Sequence, residues 1–325
     1  MLNSPKPAEV ALLAYDGVQR AALYGLSDLF QTANRISQDR APESAAPLRV
    51  SHWRLAADGA RMERVEGGER SGPAQQSVVI APPSLEGSSE ARDEPALLDW
   101  IKRQHAGGAV LCSVCAGAFL LARAGLLDGR PATTHWALKE TFSEEFPAIR
   151  LETDKLIVED GDIMTAGGVM AWVDLGLRLI DRLVGPAVML EVSRFFLVDP
   201  GGREQRAYCS FAPRFDHGDE AVLKAQRWLQ AHYDRPVDLA AMCAAAGLAR
   251  RTFLRRFQSA TGLNPTAYLQ LLRVAKAREL LELSALPFNQ VAWRVGYEDP
   301  GALRKVFQRS VGLSPADYRR RFAVR

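Results

Sequence analysis

A chain of 325 residues, 47% hydrophobic and 24% charged, has enough apolar material for two or three packed cores and is too balanced for a disordered or fibrous protein. Its net charge of +3 is unevenly spread: residues 216–325 carry 18 Lys and Arg against 10 Asp and Glu, net +8, and the remainder 23 against 28, net −5. Only the basic third suits a polyanion, and four cysteines in this length do not make a disulfide framework, so a reducing cytoplasm is expected.

The N-terminus, MLNSPKPAEV, has no apolar signal core, and the longest uncharged run, Ala106 to Ala122, is broken by glycines, so no membrane partner is expected. Glu9 to Tyr15 (EVALLAY) reads as a buried strand ending in the turn Asp16-Gly17. Ala22 to Ile36 has helical spacing, and Arg49 to Ala56 reads as a second strand. The Gly-rich stretch down to Gln76 fits a hairpin or a loose loop. Ser77 to Ala81 is strand-like, Ala81 to Pro95 a loop by composition, Ala96 to His105 a helix, and Gly108 to Val114 an apolar strand running into the helix Ala118 to Ala124. Two short strands are expected within Leu151 to Thr165, followed by helices at Val169 to Leu183 and Ala187 to Leu197. Apolar strands alternating with helices predict an α/β domain with an open, mostly parallel sheet of flavodoxin-like kind over residues 8–197. Residues 198–218, rich in Pro, Gly and polar side chains, read as a linker.

Cys115 falls at a sharp strand-to-helix turn, the geometry of a nucleophile elbow, where helix N–H groups are expected to lower the thiol pKa and hold an oxyanion. His135, in TTHW, can approach it if Ala132 to Thr134 forms the next strand edge. Tyr15, Asp16, Cys115, Ala116, His135, Gly167 and Gly168 gather at the predicted carboxyl edge of the sheet and are the candidate ligand-binding residues. Tyr15, Tyr24 and Trp136 are aromatic candidates for stacking on a cation. Set against this, Cys115 can be a small residue demanded by a tight turn, His135 a helix-start residue and Gly167-Gly168 simple turn chemistry. The Cys112-x-x-Cys115 spacing admits a redox or zinc reading, but no second Cys/His cluster completes a metal site and no phosphate-loop or dinucleotide fingerprint appears. Neither metal nor cofactor is expected.

The C-terminal third contains an internal duplication. In GLARRTFLRRFQSATGLNPTAY and GYEDPGALRKVFQRSVGLSPADY the pairs Phe257/Phe307, Gln258/Gln308, Gly262/Gly312, Leu263/Leu313, Pro265/Pro315 and Tyr268/Tyr318 fall at one offset. Each copy reads as an apolar helix, a Gly turn and a basic helix, the grammar of a helix-turn-helix, at about 238–260 and 288–311 in an all-α domain spanning 219–323. Phe253, Phe257 and Ala260 share one side, as do Leu303 and Phe307. Arg250, Arg251, Leu254 and Arg255 in the first copy, and Gly301, Arg304 and Lys305 in the second, are left facing outward as the candidate groove-reading residues. Arg273, Arg319, Arg320 and Arg321 are expected near phosphates or in water.

These stretches carry two resemblances. AAAGLARRTFLRRFQSATGLNPTAYLQLLRVAKARELLE and VAWRVGYEDPGALRKVFQRSVGLSPADYRRRF resemble the AraC/XylS-type DNA-binding domain, with Ala249 standing where a hydroxyl-bearing helix cap is favoured. That resemblance implies that a linking helix, about Pro265 to Glu282, holds both recognition helices on one face of DNA. VALLAYDGVQ, SVCAGAFLLARAGLLDGR, TTHW and TAGGVMAWVDLGLRLIDR resemble the class I glutamine amidotransferase-like superfamily of PfpI type, in the version fused to AraC-type regulators. The superfamily's enzymes use a Cys–His pair supported by an acid, whereas the fused relatives look like sensors that kept the pocket. Here Ala22 stands where relatives commonly have the acid, which implies that Cys115 and His135 are a vestigial pair.

The expectation is a transcriptional regulator that binds double-stranded promoter DNA and senses a small-molecule effector. A homodimer through Ala187 to Leu197 is expected from the resemblance, with RNA polymerase as a further partner. The rival reading is a Cys-dependent hydrolase or amidase tethered to DNA. The residues name neither the effector nor the sign of regulation.

Overall fold

A computed structural model describes residues 6–66, 75–86, 94–201 and 204–324. The chain divides into two compact units, Met1–Gln205 and Arg206–Arg325.

The first unit is built on β1 (Ala8–Leu13), α1 (Arg20–Arg40), β2 (Leu48–Leu55), β3 (Met62–Glu66), β4 (Val78–Ala81), α2 (Pro95–Ala106), β5 (Val110–Val114), α3 (Ala118–Arg123), β6 (Pro131–Ala132), α4 (Lys139–Glu145), β7 (Arg150–Leu151), β8 (Ile157–Asp160), β9 (Ile163–Ala166), α5 (Trp172–Leu183) and α6 (Pro186–Phe195). The main sheet runs β3-β2-β1-β4-β5-β9-β8. Its five central strands are parallel, and β3 and β8 close the edges antiparallel. Successive side chains leave a strand on opposite faces, so Leu12 joins Leu26, Phe30, Leu175 and Leu179 on one side, and Leu13 joins Trp100, Ile101, Phe119 and Leu120 on the other. Two apolar faces per strand are why these runs lack polar alternation. The Gly-rich stretch after β2 does turn back as β3; residues 67–74, and 87–93 of the predicted loop, lie outside the described residues.

The order places a topological switch between β1 and β4, since the chain winds outward to β2 from one and to β5 from the other. Residues just beyond the carboxyl ends of β1, β4, β5 and β9 therefore converge on one rim.

The second unit comprises α7 (Glu220–His232), α8 (Leu239–Ala246), α9 (Arg250–Thr261), α10 (Pro265–Leu283), α11 (Phe288–Arg294), α12 (Pro300–Val311) and α13 (Pro315–Phe322). The duplication folds twice in the same way. Phe257 meets Tyr268 edge-on at 5.2 Å, and Phe307 meets Tyr318 edge-on at 5.4 Å. Gly262 and Gly312 end α9 and α12 in the left-handed region, at φ 71° and 78°, which a side chain there would strain. Leu269 and Leu272 of α10 pack into the first core, and Val274, Ala277 and Leu281 into the second, so one helix braces both copies.

The expected linker is docked along much of its described length. Gln205 is buried in the first unit, Ala207 sits in the second core, and Phe211 packs edge-on against Tyr268 at 5.1 Å. Pro, Gly and polar composition conceals these anchors because their partners are remote in sequence.

Candidate functional site

At the rim, Cys115 occupies the first residue after β5 with φ +54°, one of two described non-glycine residues in the left-handed region. Such strain persists only where the surroundings hold it. Gly117, two residues on, supplies the reason: a Cβ there would lie 2.3 Å from the Ala81 carbonyl, so the turn passes close under the end of β4. Tyr15, beyond β1, donates its hydroxyl to the Pro82 carbonyl. Thr134 Oγ1 donates to the Cys115 carbonyl at 2.8 Å, and the Thr133 amide donates to Thr165 Oγ1 of β9 at 2.8 Å. Gly167 and Gly168 come directly after β9. Tyr15, Cys115, Ala116 and Gly167 are all buried, Gly168 and His135 half-buried and Asp16 exposed. On the same rim Gln19, at the N-cap position of α1 but without a side-chain cap bond, keeps its Oε1 buried with no hydrogen-bond partner among the described residues.

Two expectations fail here. Burial dominates the Cys115 thiol and pushes its pKa up to about 11, against a smaller lowering by the Ala116 amide. The helix-start effect on which a reactive thiolate depends is outweighed by desolvation. Nor is there a Cys115–His135 hydrogen bond. β6 pairs with β7 in a separate two-stranded ladder, so it is Thr134 that the chain brings to Cys115. The His135 imidazole turns to cap the following turn, its Nδ1 accepting from the Ala137 amide at 3.1 Å, and burial lowers its pKa. Ala22 is fully buried and supplies no carboxylate. Tyr24 meets the His52 ring on the α1–β2 side, at 5.5 Å. Cys112 is a buried free thiol, and no metal-holding cluster is found among the described residues.

Four residues at this rim escaped sequence reasoning. Thr133, Thr134 and Lys155 surround the carboxamide of Gln205, which came from the expected linker. The Gly167-Gly168 pair was the one local signal: a Cβ on Gly167 would lie 1.8 Å from Gln205 Nε2.

In the second unit the basic helices present their charges outward. Phe253 and Phe257, and Leu303 and Phe307, are fully buried, with Ala260 partly so. Arg250, Arg251, Arg255, Gly301, Arg304 and Lys305 are exposed, and Leu254 is half-buried. α9 starts at Ala249 with no side-chain cap, whereas Asp299 caps α12 by accepting from the Gly301 and Ala302 amides at 2.8 and 3.1 Å. Arg304 lies over the Phe288 ring at 5.4 Å. Arg256 is not free for DNA in the same way, because two of its nitrogens engage Asp219 at 2.8 and 2.6 Å.

The remaining arginines divide differently from expectation. Arg273 donates to the Tyr233 and Arg235 carbonyls at 2.8 and 2.7 Å and lies over the Tyr297 ring, with burial lowering its pKa. Arg319 donates to the Leu286 carbonyl at 2.6 Å. Both brace the fold. Arg320 pairs with Asp317, and Arg321 with the Tyr208 hydroxyl at 2.6 Å.

Comparison with known proteins agrees with both halves. Residues 70–182 match the DJ-1/PfpI family and residues 242–321 the helix-turn-helix domain of AraC type. The chain is 30% identical over 224 residues to the HTH-type transcriptional regulator GlxA of Rhizobium meliloti, covering 68% of each protein. It is 29% identical over 226 residues to the HTH-type transcriptional regulator CdhR of Pseudomonas aeruginosa, covering 69% of this chain and 67% of that one. It is also 36% identical over 108 residues to isonitrile hydratase of Pseudomonas putida, covering 33% of this chain and 46% of the enzyme, so regulators and an enzyme share this kind of region. The two basic helices on their shared brace, joined to a DJ-1/PfpI unit, thus have their counterpart in regulators aligned over two thirds of their length: the chain belongs to the AraC-type transcriptional regulators with a DJ-1/PfpI domain, and it is a DNA-binding regulator of transcription.

Proposed function

We propose that the DJ-1/PfpI unit is a non-enzymatic sensor of a small metabolite, whose binding at the rim sets how the second unit engages promoter DNA. The ligand-binding residues in this reading are Tyr15, Asp16, Cys115, Ala116, His135, Gly167 and Gly168. A ligand that binds one arrangement of the chain more tightly than another shifts the population toward it, which is all the coupling requires. DNA is read by Arg250, Arg251, Leu254, Arg255, Gly301, Arg304 and Lys305. In this reading residues 8–197 are the sensor domain and 219–323 the DNA-binding domain, and the work is done in the cytoplasm, where the DNA is.

The observation that carries the non-enzymatic part is a buried Cys115 thiol, pushed up to about 11 and without an imidazole partner. A thiol in that state is a poor nucleophile at neutral pH. One observation favours the hydrolase reading, namely the φ of +54° at Cys115, which keeps the elbow geometry. Treating the protein with a thiol alkylator and assaying Cys115→Ser separates them. The sensor keeps DNA binding and shows slow labelling; rapid stoichiometric labelling of Cys115 with turnover lost in Cys115→Ser overturns the proposal. A metabolite screen by thermal shift finds the effector, since a ligand at a hundred times its dissociation constant adds about 2.7 kcal/mol.

The proposed homodimer uses α6, whose Leu190 and Phe195 are exposed, with the still more exposed Leu197 just beyond the helix. Exposed apolar side chains of this size along a helix and just past its end are what a second copy covers. Leu190→Glu with Phe195→Glu should convert a dimer to a monomer in sedimentation analysis.

A further inference from the structure

The segment leaving the first unit ends in a side chain that fills part of the rim. Gln205 is polar and comes from a Pro- and Gly-rich stretch, yet it is 2% exposed. Its Nε2 lies 3.1 Å from Thr133 Oγ1, 3.0 Å from the Thr134 carbonyl and 3.0 Å from the Lys155 carbonyl, and its Oε1 accepts from the Trp136 amide at 3.3 Å. Three acceptors around an NH2 group and one N–H donor facing a carbonyl make a receptor for a primary carboxamide. The receptor adjoins the elbow, because the same Thr134 bonds the Cys115 carbonyl through its hydroxyl.

We infer that this receptor is a ligand subsite with Gln205 as its resident occupant, and that an effector bearing a carboxamide, or a like NH2 group beside a carbonyl, enters by displacing it. The link from this subsite to DNA rests on the sensor reading above. The subsite depends on the bare backbone of Gly167, where a Cβ would lie 1.8 Å from Nε2 and 2.3 Å from Cδ of Gln205. It also has a route outward. One residue separates Gln205 from Ala207, whose carbonyl accepts from Arg278 of α10 at 2.9 Å, and α10 braces both helix-turn-helix copies. Arg278 holds the Cys209 carbonyl and the Tyr318 hydroxyl as well, so withdrawal of Gln205 frees the chain immediately before its anchor on that helix.

The test uses the full chain and acetamide, which reproduces the group removed by Gln205→Ala. Gln205→Ala should melt lower than the wild type, and acetamide should raise its melting temperature by on the order of 2–4 °C relative to the wild type at the same concentration. Adding Gly167→Ala should abolish that gain, since the methyl fills the space. A folded Gln205→Ala that does not respond, or an equal response in the wild type, overturns the inference. Should Gln205→Ala not fold, Gly167→Ala alone decides. Its methyl should expel Gln205 and speed amide exchange across residues 204–209 at least tenfold (roughly 1.4 kcal/mol of lost protection) while β5 and β9 stay protected; unchanged exchange there overturns the inference. If both variants behave as expected but bind DNA like the wild type, the subsite stands and the sensor reading falls.

Discussion

Thr134 donates its hydroxyl to the carbonyl of Cys115 at 2.8 Å, and this bond, in place of a thiol–imidazole contact, joins the two motifs of the DJ-1/PfpI unit. It spends the approach of the TTHW segment on holding a backbone turn. The thiol is left enclosed with the Ala116 amide as the one group that lowers its pKa, and burial prevails.

That balance gives the pH dependence its sign. The folded thiol titrates at about 11, above the ordinary 9.0, so the unfolded chain releases this proton first as pH rises. The stabilising contribution is complete below pH 9.0 and is lost as pH passes through about 11. Cys115→Ser should flatten the fall in melting temperature over that window. Iodoacetamide labelling of the wild type at Cys115 should rise about tenfold per pH unit from 7 to 10 without levelling; a plateau near pH 7 contradicts the buried thiol.

Groove reading predicts selective losses. Arg255→Ala and Arg304→Ala should each weaken binding to a specific promoter site by about 1–3 kcal/mol, roughly 5- to 150-fold, if each makes a bidentate base contact. Mobility shifts on specific and scrambled duplexes measure it. Unaltered affinity in both variants refutes the assignment of faces.

Arg273 and Arg320 should part company in stability. Removing Arg273 leaves the Tyr233 and Arg235 carbonyls without their donor, so Arg273→Ala should cost about 1–3 kcal/mol in urea unfolding. Arg320 is 74% exposed and pairs with Asp317 three residues away, so Arg320→Ala should change stability by less than about 0.5 kcal/mol.

Helix starts offer a third comparison. Asp299→Ala deletes the acceptor for two amides of α12 and should cost about 0.5–2 kcal/mol, whereas Ala249→Ser supplies α9 with the cap it lacks and should stabilise by a similar amount. Denaturant midpoints of the two variants should move in opposite directions; Asp299→Ala with an unshifted midpoint means the cap contributes nothing.

Much of this was legible in the residues. EVALLAY and GAVLCSV announced parallel strands because both faces of each are buried, and the offset pairs Phe257/Phe307 and Tyr268/Tyr318 announced two equivalent packings, which the rings adopt at 5.2 and 5.4 Å. Arg273 and Arg319 were misjudged for a physical reason: an arginine on an amphipathic helix has the same local context whether it meets water or a carbonyl on another helix. Gln205 was missed on the same ground, since its bonds reach residues 50 to 72 positions away.

The sequence by itself determined the two-part architecture and the basic, duplicated C-terminal unit, because apolar periodicity and turn glycines act within a few residues. Only the tertiary structure decided the state of the rim. Whether Cys115 is a thiolate or a buried thiol, and whether Gln205 is solvent-facing or lodged against Gly167, depend on desolvation and on contacts between distant segments.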